Sequence, residues 1–175
     1  MEFSCFYASP LGPVILAGDG EALTGLWFEG QKHAAFPDPV RVEGDLPVFR
    51  RACRWLDIYF SGRDPGFTPP LRLSGSPFRR AVWEMLLTVP FGRTVTYGEM
   101  ASRLAGWNGA ARVSPRAVGG AVARNPVSLI VPCHRVVAAD GLGGYAAGPA
   151  RKLALLSLEK AVFPPPGFAA GGKCR

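Results

Sequence analysis

Short apolar stretches alternate with turn residues through the first part of the chain: Phe3 to Tyr7, a turn over Pro10–Pro13, Val14 to Ala17, a turn over Gly18–Gly20, then Leu23 to Phe28. Strand-length runs bounded by Gly, Pro and Asp predict a small antiparallel meander. From Leu46 to Phe60 the period changes. Phe49, Cys53, Leu56 and Phe60 recur at helical spacing, and Ser61 and Gly62 stop the run. Residues 61–70, rich in Pro and Gly, read as a linker.

Beyond the linker the pattern is helical. Ser76 caps a helix with Pro77 at its first position and Phe78, Val82, Met85, Leu86 and Val89 on its apolar stripe, ending at Pro90–Gly92. Thr96 caps Tyr97 to Leu104, with Glu99 placed for a capping box. After a turn over Gly106–Gly109, a helix runs from Ser114 to Ala123, again opened by Ser and Pro. These last two helices have the shape of a helix-turn-helix. Ala117, Gly119, Gly120 and Ala121 would let the second helix approach a groove closely, with Arg116 near its start. The same small residues would also suit packing against another helix. A Gly-rich loop, Gly141–Tyr145, precedes a helix from Pro149 to Lys160 with Leu153, Leu155 and Leu156 inward and Glu159 near its end. Phe163 onward reads as a frayed tail. The expected fold is α+β. A small N-terminal antiparallel-sheet domain with a helix, residues 1–69 including the linker, precedes a mostly helical C-terminal domain, residues 70–175, that contains the helix-turn-helix.

At 175 residues and 48% hydrophobic, the chain can build one core or two unequal ones. It has no apolar run near the roughly 20 residues that cross a bilayer, and its N-terminus lacks a secretory pattern, so a cytoplasmic protein without a membrane partner is expected. Cys5, Cys53, Cys133 and Cys174 are scattered, which fits free thiols in a reducing compartment. Cys5, His33 and Cys53 match no compact ligand spacing, and neither metal nor organic cofactor is expected. The formal charge is +7. Nine arginines lie between 72 and 135, at 72, 79, 80, 93, 103, 112, 116, 124 and 135, against Glu84 and Glu99, which favours a polyanionic partner. Asp19, Glu21, Glu29, Asp38, Glu43 and Asp45 make the first part a poor DNA-facing surface.

Chemistry concentrates at Pro132-Cys133-His134-Arg135-Val136-Val137. The approach from Asn125 and Pro126 is apolar, so it should hold Cys133 at a fixed point in the core. A thiol becomes a good nucleophile as thiolate, and a histidine can take its proton if a carboxylate fixes the ring tautomer. Adjacent residues of an extended segment point to opposite sides, so Cys133 and His134 need a bent backbone or a bridging water. Glu159, Asp140, Glu84 and Glu99 are all candidates for the orienting acid.

Arg116 to Ala121, Asn125-Pro126, Pro132 to Val137, Gly144-Tyr145 and the closing helix through Lys152 and Glu159 resemble, in order, the methylated-DNA–protein-cysteine methyltransferases, the O6-alkylguanine-DNA alkyltransferase family. The resemblance covers residues 70–163 and, more loosely, the meander. It implies double-stranded DNA containing alkylated guanine as partner, bound through the minor groove, with the damaged base turned out of the stack. It implies one irreversible transfer of the alkyl group, from O6-alkylguanine or O4-alkylthymine, to Cys133. In the implied assignments His134 acts through a water, Glu159 completes the relay, Asn125 ties the helix-turn-helix to the active segment, and Tyr97 rotates the target nucleotide and donates to guanine. Arg116 fills the vacated place in the duplex. Ala117, Gly120, Arg124, Arg135, Tyr145, Ala146 and Lys152 complete the substrate and DNA-binding set, with Tyr145 walling the pocket. The segment 106–114 is longer than the usual connection, and Ala146-Ala147-Gly148 replaces a loop that often carries a hydroxyl. Competing readings are a lesion sensor without transfer, a helix-turn-helix regulator and a cysteine hydrolase. A monomer is expected.

Overall fold

Three strands form the predicted meander: β1 (Phe3–Ser9), β2 (Gly12–Gly18) and β3 (Leu23–Phe28), paired antiparallel in that order. The computed structural model describes residues 2–34, 40–41, 46–109 and 111–161; Asp38, Glu43, Asp45, the tail from Phe163 and Cys174 lie outside them. A two-residue strand that periodicity cannot reveal, β4 (Val40–Arg41), runs parallel to β1 and completes the order β3-β2-β1-β4.

Helix α1 (Pro47–Phe60) buries Phe49, Ala52, Trp55, Leu56 and Tyr59. Its inward stripe is rotated from the expected one: Cys53 and Phe60 are only half-buried, and Trp55 and Tyr59 take the core positions. The reason is size, because the indole and phenol rings remove more apolar area from water than a thiol does.

The outer edge of β3 is not left open. Leu23 N–H donates to Pro70 O at 2.8 Å and Arg72 N–H to Leu23 O at 2.8 Å; further along, Leu26 N–H donates to Pro126 O at 2.9 Å and Ser128 N–H to Leu26 O at 2.8 Å. Two later segments, around Pro70 and Pro126, thus satisfy an otherwise bare strand edge. One hydrophobic cluster runs from Val14 and Leu26 through Trp55 and Tyr59 to Val82, Val118 and Leu155. The active-site segment is therefore hydrogen-bonded to the N-terminal sheet.

Helix α2 (Pro77–Leu86) starts at the Ser76 cap as expected but stops before Val89, which is buried in the following turn. The box at Thr96 opens α3 (Tyr97–Arg103): Glu99 N–H donates to Thr96 Oγ1 at 3.1 Å and Thr96 N–H to Glu99 Oε2 at 2.7 Å. The long connection makes one 3₁₀ turn, Trp107–Gly109, with the Trp107 ring edge-on to Phe78 at 5.6 Å. Helix α4 (Pro115–Val122) then starts at the Ser114 cap where expected. Trp83 Nε1–H donates to Ala121 O at 2.9 Å and locks α2 to α4. Strands β5 (Val95–Thr96) and β6 (Val136–Val137) pair in parallel and bring the Cys133 turn beside the start of α3. In α5 (Pro149–Leu158) Leu155 and Leu156 are buried, but Leu153 is exposed and Lys152 takes an inward position. Among the described residues no helix is long and apolar enough to cross a membrane.

Candidate active site

Asn125 builds the approach to Cys133. Its Nδ2 donates to Val131 O at 2.7 Å and its Oδ1 accepts from Val127 N–H at 3.0 Å, closing the buried turn 125–131. Within that turn Leu129 is held at φ 70, a left-handed conformation that costs a non-glycine residue on the order of 1–2 kcal/mol. Such strain persists only where surrounding contacts over-determine it. Cys133–Arg135 follow as a 3₁₀ turn, with Cys133 N–H donating to Val131 O at 2.8 Å. This is the bent path that the adjacency of thiol and imidazole requires.

Of the four candidate acids, Glu159 meets His134. The His134 ring is fully buried, and its Nε2 lies 2.6 Å from Glu159 Oε1. A carboxylate only accepts, so Nε2 carries the proton and Nδ1 keeps its lone pair. Nδ1 has no hydrogen-bond partner among the described residues. Glu159 Oε1 also accepts from the Tyr59 hydroxyl at 2.7 Å and Arg135 Nη2 at 3.1 Å, while Oε2 accepts from Arg135 Nε at 2.9 Å and Gly92 N–H at 2.9 Å. Burial alone would raise this carboxyl, but hydrogen bonds and charge from His134 and Arg135 outweigh it and hold it at about 2. Burial lowers His134 against the pull of Glu159, so the resting imidazole is neutral.

Burial also pushes the Cys133 thiol up, against the opposing influence of Asn125, the Lys152 ammonium and Ser128. The resting sulfur is a thiol that needs a base. Lys152 Nζ donates to Val136 O at 2.5 Å and Gly144 O at 2.9 Å, and burial brings it down to about 8 against the pull of Cys133. It thereby pins the loop after β6 over Cys133. Gly143 in that loop has φ 71, and a Cβ there would stand 3.1 Å from Ala138 N and 3.2 Å from the Tyr97 ring.

Cys133 opens into a cavity of about 220 Å³ walled by Tyr97, Gly119, Tyr145 and Ala146 and rimmed by Lys32 and His33. Burial, then the charge of Cys133, raises Tyr97, so its hydroxyl stays a donor. Residues 77–161 match the 6-O-methylguanine DNA methyltransferase DNA-binding domain, and residues 4–73 match the ribonuclease-like domain of the same proteins. The chain belongs to the 6-O-methylguanine DNA methyltransferase family.

Relatives agree over nearly the full length. The methylated-DNA–protein-cysteine methyltransferase of Mycobacterium leprae is 49% identical over 156 residues, 87% of this chain and 88% of that protein. The Methanosarcina acetivorans protein of the same name is 43% identical, over 90% of this chain and 97% of its own. The crystal structure of Mycobacterium tuberculosis OGT in complex with DNA superposes with a TM-score of 0.76 at 42% identity, over 90% of this chain and 92% of that one.

Within this methyltransferase fold the structure brings together Cys133, His134, Glu159, Asn125, Tyr97, Tyr145, Ala146 and Lys152. Arg116 and Ala117 are exposed at the start of α4; Gly120 is half-buried, and Arg124 is exposed, donating through Nη1 to Gly120 O at 3.1 Å. Arg135 does not join them. It is buried, its guanidinium engaged by Glu159 and by Val89 O at 2.6 Å, so it faces the interior. Arg72 is exposed, and it pairs at 2.6 Å with Asp19 on the N-terminal side. Sequence reasoning missed Tyr59, whose partners lie 75 and 100 residues away, and it missed Lys32 and His33 in a part judged too acidic to serve. His33 lies at this cavity, and no group of three or more potential metal ligands occurs among the described residues.

Proposed function

We propose that this protein repairs O6-alkylguanine in double-stranded DNA by transferring the alkyl group irreversibly to Cys133, once per molecule, as a monomer in the cytoplasm. The observation that carries the reading is a buried cysteine facing a base-sized cavity beside a neutral histidine whose proton-accepting nitrogen is free and whose other nitrogen is fixed by a carboxylate. DNA docks its minor groove on α4, and the lesion turns out of the stack into the cavity.

In the reaction one water carries the Cys133 proton to His134 Nδ1. The sulfur attacks the alkyl carbon, the C–S bond forms as the C–O6 bond breaks, and the bonding electrons leave on guanine. The Tyr97 hydroxyl supplies a proton to the departing ring, and backbone amides near Tyr145 and Ala146 stand in for the hydroxyl this loop lacks. Glu159 stabilises the imidazolium that forms. The resulting thioether is stable because restoring the thiol would require a second displacement at the alkyl carbon with a thiolate as the poor leaving group. A lesion sensor would have no use for an acceptor cysteine, and a hydrolase would need turnover.

Mixing the protein with a duplex containing O6-methylguanine should add one CH₂ to the intact mass, saturating at one equivalent and mapping to Cys133. Lesion binding without that gain would sink the repair reading in favour of a sensor.

Arg116→Ala should slow transfer on duplex DNA by roughly ten- to a hundredfold, the equivalent of about 1–3 kcal/mol of lost stacking. The loss should be smaller on a single strand, which has no vacated place to fill. Single-turnover rates on the two substrates check this, and equal losses would reduce Arg116 to a phosphate contact.

A further inference from the structure

Beside the acceptor cavity lies a second groove of about 350 Å³, with Trp27 and Trp83 at its floor and His33, Ser74, Arg79 and Arg124 on its walls. His33 lines both spaces, so the two are contiguous. We infer that this groove holds backbone phosphates of the lesion-bearing strand next to the flipped nucleotide; this inference rests on the repair reading above.

Charge is the first argument. Among the described residues no carboxylate pairs with Arg79 or Arg124, and Lys32 lines the adjoining acceptor cavity. Arg124 spends one nitrogen on Gly120 O, which aims its guanidinium while leaving donors over. The floor is buried indole, and a groove of one charge sign with low-dielectric walls concentrates its field on an anion.

The rim is also built rather than loose. Gln31 is buried, its Nε2 donating to Ser128 Oγ at 3.0 Å, and Lys32 N–H donates to Ala146 O at 3.0 Å. These ties fasten the loop after β3 to the segment leading to Cys133 and to the cavity wall. Between them and Ala34, His33 is held at φ 60, a conformation that is uncommon for a residue other than glycine. The loop thus places an imidazole where the two spaces meet.

Spacing fits a strand. Arg116 and Arg124 lie at the two ends of α4, about 12 Å apart along the helix at 1.5 Å per residue. Over that length one DNA strand presents roughly three phosphates. A strand whose lesion enters the cavity while Arg116 fills its former place would carry its neighbouring phosphates past His33 toward Arg79 and Arg124.

The test uses the full chain with Arg79→Gln, Arg124→Gln and the double variant, and a single-stranded oligonucleotide carrying O6-methylguanine. Plots of log affinity against log salt should lose about 0.7 in slope per phosphate contact removed. Transfer from the oligonucleotide should slow, whereas Arg79→Gln should react normally with O6-methylguanine free base, which has no phosphate. Unchanged slopes and affinities overturn the groove, and so does equal slowing on the free base, which would mark a general defect. The wild type separates the two readings. If it gains the alkyl group while the variants keep its slope, the groove alone fails; if its slope depends on these arginines but no alkyl group is gained, the repair reading fails.

Discussion

Cys133→Ser should lack detectable alkyl transfer but still bind lesion-containing DNA. The expected loss is on the order of 10⁴-fold or more, the scale at which removing a nucleophile from a cooperating set acts. Two features of the site set this size. Burial holds the resting sulfur as a thiol, yet one histidine nitrogen is free to accept its proton; a serine hydroxyl gives up its proton far less readily to the same imidazole. The substitution removes little volume, and the turn 125–131 is closed by Asn125 rather than by the sulfur, so the fold and the α4 surface persist. Intact mass after incubation with O6-methylguanine duplex, together with a binding isotherm on the same duplex, reads both halves. A serine variant that still acquired the alkyl group would place the acceptor elsewhere.

Glu159→Gln is expected to damage both stability and rate. The carboxylate accepts from Tyr59, His134, Arg135 and Gly92, and every one of these partners is a donor in the resting network. An amide turned either way sets its own NH₂ against at least one donor and leaves the buried Arg135 charge unbalanced. Breaking such a pair costs about 3–5 kcal/mol. Transfer should fall by roughly 10²–10⁴-fold, because the imidazolium formed during attack loses its counter-charge and the ring its fixed tautomer.

The same carboxylate predicts a pH signature. Its folded value of about 2 lies below an unfolded value near 4.3, so the unfolded chain binds the extra proton in acid. The stabilisation, about 3 kcal/mol from that difference, is present in full above the unfolded value and disappears as pH falls toward about 2. Urea denaturation at a series of pH values should therefore show wild type and Glu159→Gln converging as pH drops from about 5 to 2. Parallel curves across that window would show that Glu159 contributes no such linkage.

Much of the local architecture was legible because its causes are local. The Ser76, Thr96 and Ser114 caps each act within a few residues, and each helix starts where its cap predicts. The meander was readable from short apolar runs between turns. Misreadings occurred where burial had to choose among neighbours. In α1 the large rings of Trp55 and Tyr59 displaced Cys53 and Phe60 from the core, and in α5 Lys152 faced inward because two carbonyls were there to receive its ammonium, leaving Leu153 outside. The strands β4, β5 and β6 span two residues each, too short to carry a period.

The sequence by itself determined the meander and the capped helices, the excess of arginine over acid beyond residue 70, and the pairing of a thiol with an imidazole, since each follows from residue type and short spacing. Residue type and spacing left four candidate acids for His134, of which the family resemblance implied Glu159. The tertiary structure makes the contact, bringing Glu159 across 25 residues to the His134 ring and Tyr59 across 100 to the Glu159 carboxylate. It also turned Arg135 from a candidate DNA contact into a buried counter-charge, and it carried Lys32 and His33 to the rim of the cavity through ties between residues 97 apart. The physical reason is range. Caps and periodicity are satisfied by hydrogen bonds and burial within a turn or two, whereas a buried charge is tolerable only when the whole fold delivers its partner.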